Sequence, residues 1–218
     1  MAKTKIVIIT GASRGLGLAI TKEFATNGWQ VVGVGRSDQP ADWPKGAVYH
    51  QFDASDNKAC EAFWAELHND QPDAEICLVN NAGSYVSGGL LETKPEDYEQ
   101  QMKSCYFSSA YMTRGLATVF PKAKIVNIVS SSALAPHEAN PAYGSAKAAQ
   151  MHFFQSLQHE FSPAQYQITN LYPENIATHG ADPEAIDPSD LAAFVRQQAE
   201  NEATYYLRDV GVYPRGTA

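Results

Sequence analysis

Basic side chains and cysteines are both scarce in this sequence. The 218 residues carry 16 Lys and Arg against 24 Asp and Glu, and the formal net charge is -8. Such a balance repels phosphate backbones, so we expect no nucleic-acid partner. The three cysteines, Cys60, Cys77 and Cys105, lie in apolar segments without metal-ligand spacing. This usage is typical of reduced thiols in a cytoplasmic protein, and it predicts no metal site.

Long apolar runs are also missing. The N-terminal run at residues 6–9 is too short for the core of a secretory signal, and no other stretch is long enough to span a bilayer. We therefore expect a soluble, cytoplasmic protein without a membrane partner. Internal repeats, linkers and low-complexity segments are absent as well. The length and the 44% hydrophobic content suit one domain over residues 1–218.

The chain instead contains a regular alternation of strand and helix patterns. Helical periodicities separate most of the strands, and the two longest cover residues 96–119 and 141–161. This order predicts the α/β class, with one doubly wound parallel sheet in a three-layer α/β/α arrangement. Buried strands are predicted at residues 6–9, 30–34, 48–52, 76–79, 125–129 and 168–172, and an edge strand at 205–213.

A glycine-rich turn follows the first strand. Residues 10–17 read TGASRGLG, and a helical pattern begins within them. Backbone N–H groups and the dipole at a helix start attract phosphate, and glycine lets the backbone approach it closely. The spacing is GxxxGxG rather than the commoner GxGxxG. The turn predicts a dinucleotide site that includes Thr10, Gly11, Ser13, Arg14, Gly15, Leu16 and Gly17.

The end of the second strand bears on the choice of dinucleotide. An acidic residue there binds a ribose 2′-hydroxyl, whereas an arginine accommodates a 2′-phosphate. Arg36 and Ser37 occupy this place, and Arg14 in the glycine turn could reach the same phosphate. NADP(H) is therefore favoured over NAD(H). Asp38 keeps NAD(H) open, and Arg36 could also be an ordinary solvated charge.

Two further strand ends extend the predicted cofactor site. Asp53 follows the third strand and could accept a hydrogen bond from an adenine amino group. The fourth strand runs into NNAG at residues 80–83, where small residues let a ribose lie against the backbone at the carboxyl edge of the sheet. These segments add Asp53, Asn80, Ala82 and Gly83 to the cofactor residues.

Ser130, Tyr143 and Lys147 are the candidate catalytic residues. Ser130 ends the fifth strand, and Asn140-Pro141 predicts the start of a helix that places Tyr143 and Lys147 one turn apart. A phenol has a pKa of about 10, and a neighbouring ammonium lowers it. With a serine hydroxyl on the same substrate oxygen, this set would form a proton relay. Tyr and Lys also occur four apart on many ordinary helices.

Taken in order, these motifs resemble the short-chain dehydrogenase/reductase family. The matching segments are TGxxxGxG at 10–17, Asp53, NNAG at 80–83, Ser130, YxxxK at 143–147 and residues 173–178. The resemblance implies a Rossmann-like sheet and hydride transfer between a nicotinamide and a carbonyl or alcohol. It implies that Tyr143 is the general acid or base, that Lys147 binds the nicotinamide ribose and lowers the tyrosine pKa, and that Ser130 orients the substrate oxygen. Pro173, Ile176 and Thr178 would complete the NADP(H) site.

The resemblance also implies an activity and an assembly. We expect an NADPH-dependent carbonyl reductase for small to medium hydrophobic ketones, aldehydes or alcohols, assembled as a homodimer or homotetramer through the two long helices. The alternative is an NADP(H)-binding sensor with vestigial catalysis, and Cys105 is one reason to consider it. The family often has an Asn there, 22 positions after Gly83. A thiol hydrogen-bonds only weakly, which favours a core role for Cys105.

The predicted substrate pocket is an aromatic and aliphatic wall. Glu174 stands where the family usually has Gly, and the segment between Thr178 and Pro188 is short, so we expect a small lid and an open pocket. Two histidines of this wall, His137 and His179, could also be ordinary loop residues. From their positions in loops at the carboxyl edge, the wall residues are Tyr85, Val86, Leu134, His137, Tyr172 and His179.

Overall fold

The computed structural model describes residues 3–137, 139–178, 180 and 182–215. Seven strands form one sheet in the order β3-β2-β1-β4-β5-β6-β7, and every neighbouring pair is parallel. The predicted doubly wound Rossmann-like sheet is therefore confirmed. The strands are β1 (Lys5–Thr10), β2 (Gln30–Gly35), β3 (Val48–Gln51), β4 (Glu75–Asn80), β5 (Ala123–Ile128), β6 (Tyr166–Pro173) and β7 (Asp209–Val212).

Helices cover both faces of this sheet. They are α1 (Gly15–Ala25), α2 (Asn57–Asp70), α3 (Pro95–Gln101), α4 (Ser108–Val119), α5 (Pro141–Glu160) and α6 (Pro188–Glu200), with a 3-10 turn at Ser131–Ala133. A π-helical segment, Met102–Phe107, joins α3 to α4. The sequence pattern predicted one uninterrupted helix over 96–119, so this wider turn is new. Of the helices in the described ranges, none is long and apolar enough to cross a membrane.

Successive side chains of each strand point to opposite faces of the sheet, so the strands contribute to two hydrophobic cores. Val7 and Ile9 of β1 point to the face covered by α1 and α6, with Phe24 and Val195 among the packed side chains. Ile6 and Ile8 belong to the opposite core, to which α2, α4 and α5 contribute. Because both faces are buried, the strands read as continuous apolar runs in the sequence.

The strand order changes direction between β1 and β4. From β1 the sheet grows through β2 and β3 on one side, and from β4 through β5, β6 and β7 on the other. The loops that leave the carboxyl ends of β1 and β4 therefore turn away from each other and leave a crevice. Ligands of open α/β sheets bind at such a point.

Candidate active site

A cleft of about 820 Å³ lies at this crevice. It extends from the glycine turn past the ends of β2 and β4 to the start of α5. The predicted residues that do not line it are Thr10, Asn80, Val86, Leu134, His137 and Tyr172, and His179 lies outside the described residues. The predicted residues that do line it are Gly11, Ser13, Arg14, Gly15, Leu16, Gly17, Arg36, Ser37, Asp53, Ala82, Gly83, Tyr85, Ser130, Tyr143, Lys147, Pro173, Ile176 and Thr178.

The glycine turn is held in place by β4. Thr10 Oγ1 accepts hydrogen bonds from the backbone N–H groups of Asn81 (3.1 Å) and Ala82 (3.0 Å), and Asn81 Nδ2 donates to the carbonyl of Thr10 (3.0 Å). Gly11 has a φ of 66°, which favours glycine. A Cβ on Gly17 would lie 2.1 Å from the carbonyl oxygen of Gly11. The start of α1 therefore packs so closely against the turn that position 17 has no space for a side chain.

Polar and charged side chains surround the end of the cleft that lies next to the glycine turn and β2. Ser37 Oγ donates to Ser13 Oγ (3.1 Å), which ties the end of β2 to the glycine turn. The guanidinium of Arg36 is 4.0 Å from a carboxylate oxygen of Asp53, and both side chains are about half exposed. Arg14 is exposed and has no ion-pair partner among the residues that the structure describes. Both guanidinium groups are thus available to a phosphate at this end.

Asn80 supports the sheet rather than lining the cleft. Its Nδ2 donates to Asn127 Oδ1 (3.0 Å) and to Thr113 Oγ1 (3.1 Å). Asn127 in turn donates to Asn170 (2.8 Å), and Asn170 to Asp209 (3.1 Å). The strand register places these four residues opposite one another on β4, β5, β6 and β7. This ladder of side chains provides acceptors for the buried amide Nδ2 groups of Asn80, Asn127 and Asn170, while Asn80 Oδ1 has no partner within the described residues.

Ser130, Tyr143 and Lys147 meet at the other end of the cleft. Ser130 directly follows β5, and its Oγ accepts from the backbone N–H of Ser132 (3.1 Å). The ammonium of Lys147 lies 5.9 Å from the centre of the Tyr143 ring. Lys147 is only 3% exposed, and its Nζ donates to the carbonyl of Ile128 (2.8 Å) and to Gln150 Oε1 (3.0 Å). Gln150 was not predicted as a site residue, although a Gln within the buried stripe of a helix is itself a signal.

The π-helical segment carries Cys105, which is fully buried beside Lys147. Its Sγ lies 3.7 Å from the carbonyl oxygen of Ser84, to which it donates a weak hydrogen bond. A Cβ on Gly83 would lie 3.4 Å from this sulfur and 3.7 Å from Lys147 Nζ. The hydroxyl of Ser109 donates to the carbonyl of Cys105 (3.0 Å). This hydrogen bond provides a donor for a carbonyl that the π-helical turn displaces from the regular helical pattern. Gly83 therefore separates the thiol from the ammonium without filling the space between them.

Two further polar residues of the cleft, Ser84 and Ser104, were not predicted as site residues. Ser84 Oγ and Ser104 Oγ are 2.8 Å apart, and Gln101 Nε2 donates to Ser84 Oγ (3.0 Å). Ser84 and Ser104 both line the cleft. Ser104 belongs to the π-helical segment, where a regular helix was expected.

The predicted substrate wall is divided by the structure. Tyr85 is exposed and packs edge-on against Tyr143, with ring centres 5.0 Å apart. Leu134 and His137 are exposed outside the cleft, while Val86 is half-buried. Tyr172 is buried and donates to Asp209 (2.5 Å). Burial, with a contribution from that hydrogen bond, raises the pKa of the Tyr172 phenol, so this residue is a structural donor.

Comparison with known proteins finds similarity to one family of dehydrogenases and reductases. The family model described as short chain dehydrogenase matches residues 5–187. The 3-oxoacyl-acyl-carrier-protein reductase FabG of Haemophilus influenzae is 28% identical over 185 residues, which cover 80% of this chain and 75% of that protein. The NADPH-dependent 1-acyldihydroxyacetone phosphate reductase of Schizosaccharomyces pombe is 27% identical over 183 residues, which cover 82% of this chain and 62% of that protein.

Solved structures show the same fold. A short chain dehydrogenase from Burkholderia cenocepacia in complex with NADP superposes with a TM-score of 0.83. The two sequences are 21% identical, and the superposition covers 96% of this chain and 88% of that chain. The topology of the sheet is thus that of a known architecture.

Proposed function

The chain belongs to the short-chain dehydrogenase/reductase family, and on that premise we propose that it is an NADPH-dependent carbonyl reductase. The observation that carries the proposal is the single cleft, which joins the glycine turn and Arg36 at one end to Ser130, Tyr143 and Lys147 at the other. A sensor would need the first end alone. The arrangement of the second end therefore favours the enzyme.

The residues of the glycine turn fit a dinucleotide. The turn is a backbone cradle that a Cβ at Gly17 would fill, and the start of α1 lies directly behind it. Arg14 and Arg36 would bind the 2′-phosphate with charge-assisted hydrogen bonds. The relative from Schizosaccharomyces pombe is named for NADPH, which supports the same choice. Asp53 would accept from the adenine amino group, and Thr178 would lie near the carboxamide.

Each catalytic side chain has one task in this proposal. When bound at this site, a nicotinamide would supply the hydride for the carbonyl carbon of the substrate. The Ser130 hydroxyl orients the carbonyl oxygen, and Tyr143 donates its proton to that oxygen. The buried ammonium of Lys147 stabilises the phenolate that remains, because an ion pair is strong where water is excluded.

Apolar side chains around the cleft support a hydrophobic substrate of small to medium size. Tyr85 covers Tyr143, and Val129 and Ile176 also line the cleft. The backbone N–H of Gly88 donates to the carbonyl of Ala139 (2.7 Å), which ties the segment after Tyr85 to the loop before α5. A ketone or aldehyde with an aliphatic or aromatic substituent would cover these side chains on binding.

Aromatic side chains on the outside of the molecule support a homodimer or homotetramer. Tyr106, Phe107, Tyr111 and Phe153 are half-buried and contact one another across the π-helical segment, α4 and α5. A second copy of the chain would remove them from water. We expect light scattering to give at least twice the mass of one chain, and a monomer would contradict this assembly.

The central experiment measures NADPH oxidation with a panel of ketones, aldehydes, diketones and quinones. We expect turnover with hydrophobic members, and the Tyr143→Phe variant should lose about 10²- to 10⁴-fold in kcat because it has no proton to donate. NADPH binding and the melting temperature should not change. Tyr205→Phe, which alters an exposed tyrosine, is the matched control. Binding of NADPH without any turnover would refute the reductase proposal and favour the sensor, whereas undiminished turnover in Tyr143→Phe would refute the role of Tyr143 as the proton donor.

A further inference from the structure

The ammonium of Lys147 has two acceptors, one from the backbone and one from a side chain. They are the carbonyl of Ile128 (2.8 Å) and the Oε1 of Gln150 (3.0 Å). An ammonium carries three N–H bonds, so these contacts leave one of them. Lys147 lines the cleft, where the remaining N–H would meet a ligand. The direction of that N–H depends on both acceptors being in place.

Gln150 is an unusual residue for its surroundings. It lies on α5, one turn beyond Lys147, and its side chain is 0% exposed. The amide oxygen has to face Lys147, because the opposite orientation would place two sets of N–H donors against each other. The Nε2 group therefore points elsewhere, and it has no hydrogen-bond partner within the described part of the chain.

Packing alone does not account for this side chain. A buried amide group with one end unpaired destabilises the folded protein, whereas an apolar side chain of similar volume would fill the same space without that penalty. Residues that break such a rule tend to occur at functional sites. The contact with Lys147 is what Gln150 provides and what an apolar residue would lack.

The neighbouring residues of the π-helical segment do not duplicate this contact. Cys105 lies close to Lys147, but its Sγ is directed to the carbonyl of Ser84. Ser104 is bonded to Ser84, with the oxygens 2.8 Å apart. In the described residues, Gln150 is the side chain that accepts from Lys147.

We propose that Gln150 is a positioning residue for Lys147. Its Oε1 and the Ile128 carbonyl hold the ammonium at a fixed place beside Tyr143, so that the third N–H is directed to the bound ribose and the charge remains next to the phenol. This inference rests on the proposed reductase function, and it adds a residue that acts through Lys147 without touching substrate.

A double-mutant cycle on Lys147 and Gln150 tests the proposal. Gln150→Met keeps the side-chain volume and removes the acceptor. We expect it to lower kcat about tenfold and to weaken NADPH binding about threefold, as is typical of coupled neighbours. In a Lys147→Met background the same change should alter either quantity less than about twofold, because the group on which Gln150 acts is gone. Gln150→Glu retains an oxygen at the same reach and should keep more activity than Gln150→Met.

Gln155→Met is the matched control on the same helix. Gln155 is half-buried and donates to Asp209 (3.4 Å). This variant should leave kcat and NADPH affinity unchanged, while thermal unfolding reports any general loss of structure. Equal losses from Gln150→Met with and without Lys147, in both kcat and affinity, would refute the positioning role.

The measurement of NADPH affinity tests this proposal independently of the proposed function. If the native protein bound NADPH but reduced no carbonyl compound, the reductase function would fail. Titration of NADPH fluorescence against the four proteins of the cycle would still measure the coupling between Gln150 and Lys147. If the reductase function holds and the coupling is zero in both measurements, only the role of Gln150 is wrong.

Discussion

The two ends of the cleft are built in opposite ways. The end formed by the glycine turn, which we call the cofactor half, consists mainly of backbone, and its key positions have no side chain at all. The end formed by Ser130, Tyr143, Lys147 and Gln150, the catalytic half, consists of side chains from α5 and the end of β5, and three of them, Ser130, Lys147 and Gln150, are buried. Added atoms should therefore damage the first half, whereas removed atoms should damage the second.

The end of β4 links the two halves. Asn81 donates to the carbonyl of Thr10 in the cofactor half, and Gly83 lies against Lys147 in the catalytic half. Both contacts come from the NNAG segment at residues 80–83. A short segment with small residues thus sets the distance between the two halves, and a cofactor that spans the cleft would have to match it.

The largest effect is expected when an atom is added to the cofactor half. In Gly17→Ala the new Cβ would lie 2.1 Å from the carbonyl oxygen of Gly11, so the turn has to move. The displaced turn should lose two charge-assisted hydrogen bonds between its backbone N–H groups and the phosphates. We therefore expect NADPH binding to weaken by more than about 100-fold in a fluorescence titration. In the control, Gly89→Ala, the new Cβ has its nearest neighbour at 3.8 Å. Native affinity in Gly17→Ala would mean that the turn is not a tight cradle.

Removing one oxygen from the catalytic half tests the opposite rule. Ser130→Ala should lower kcat for carbonyl reduction about 10²- to 10³-fold, since one donor to the reacting oxygen is lost. NADPH affinity should stay within about twofold of the native value, because no phosphate contact changes. Ser156→Ala, an exposed position on α5, is the control for steady-state kinetics. Equal losses of kcat and of affinity would show that the halves are not separable.

A charge removed from the cofactor half should affect only one of the two dinucleotides. Arg36→Ala should weaken NADPH binding about ten- to a hundredfold, the value of one charge-assisted contact, and leave NADH binding nearly unchanged. Arg114→Ala is a close control, because both arginine side chains are 58% exposed and both face a carboxylate. Parallel losses for NADPH and NADH would overturn the choice of NADP(H).

The smallest effect is expected at Cys105. If Gln150 positions Lys147, the weak thiol contact to Ser84 adds little, and Cys105→Ala should change kcat by no more than about threefold. Cys105→Asn introduces the residue that the family often has at this place, and thermal unfolding would show whether it fits. A large gain in turnover with Asn would show that the native catalytic half is incomplete.

Much of this architecture could be read from the chain without coordinates. The apolar runs and the residues that interrupt them predicted six of the strands and the edge strand, because burial on both faces leaves a clear pattern. The glycine turn, Arg36, Ser130, Tyr143 and Lys147 were predicted as one site, since the carboxyl ends of parallel strands meet at one edge. Local periodicity and strand order were enough for these predictions.

Other features depend on contacts between distant residues and became visible only in three dimensions. Strand register turned Asn80 towards Asn127, although a cofactor contact was expected of it. The π-helical segment contains Ser104, which lines the cleft, and the packing of α5 against the end of β5 brought Lys147 to Ile128.

Gln150 shows most clearly where prediction from the sequence ends. A linear pattern shows that its side chain falls on the buried stripe of a helix, and the one-turn spacing places it near Lys147. Whether it faces the ammonium is settled by how the helix is rotated against the sheet, because rotation decides which polar atoms meet where water is excluded.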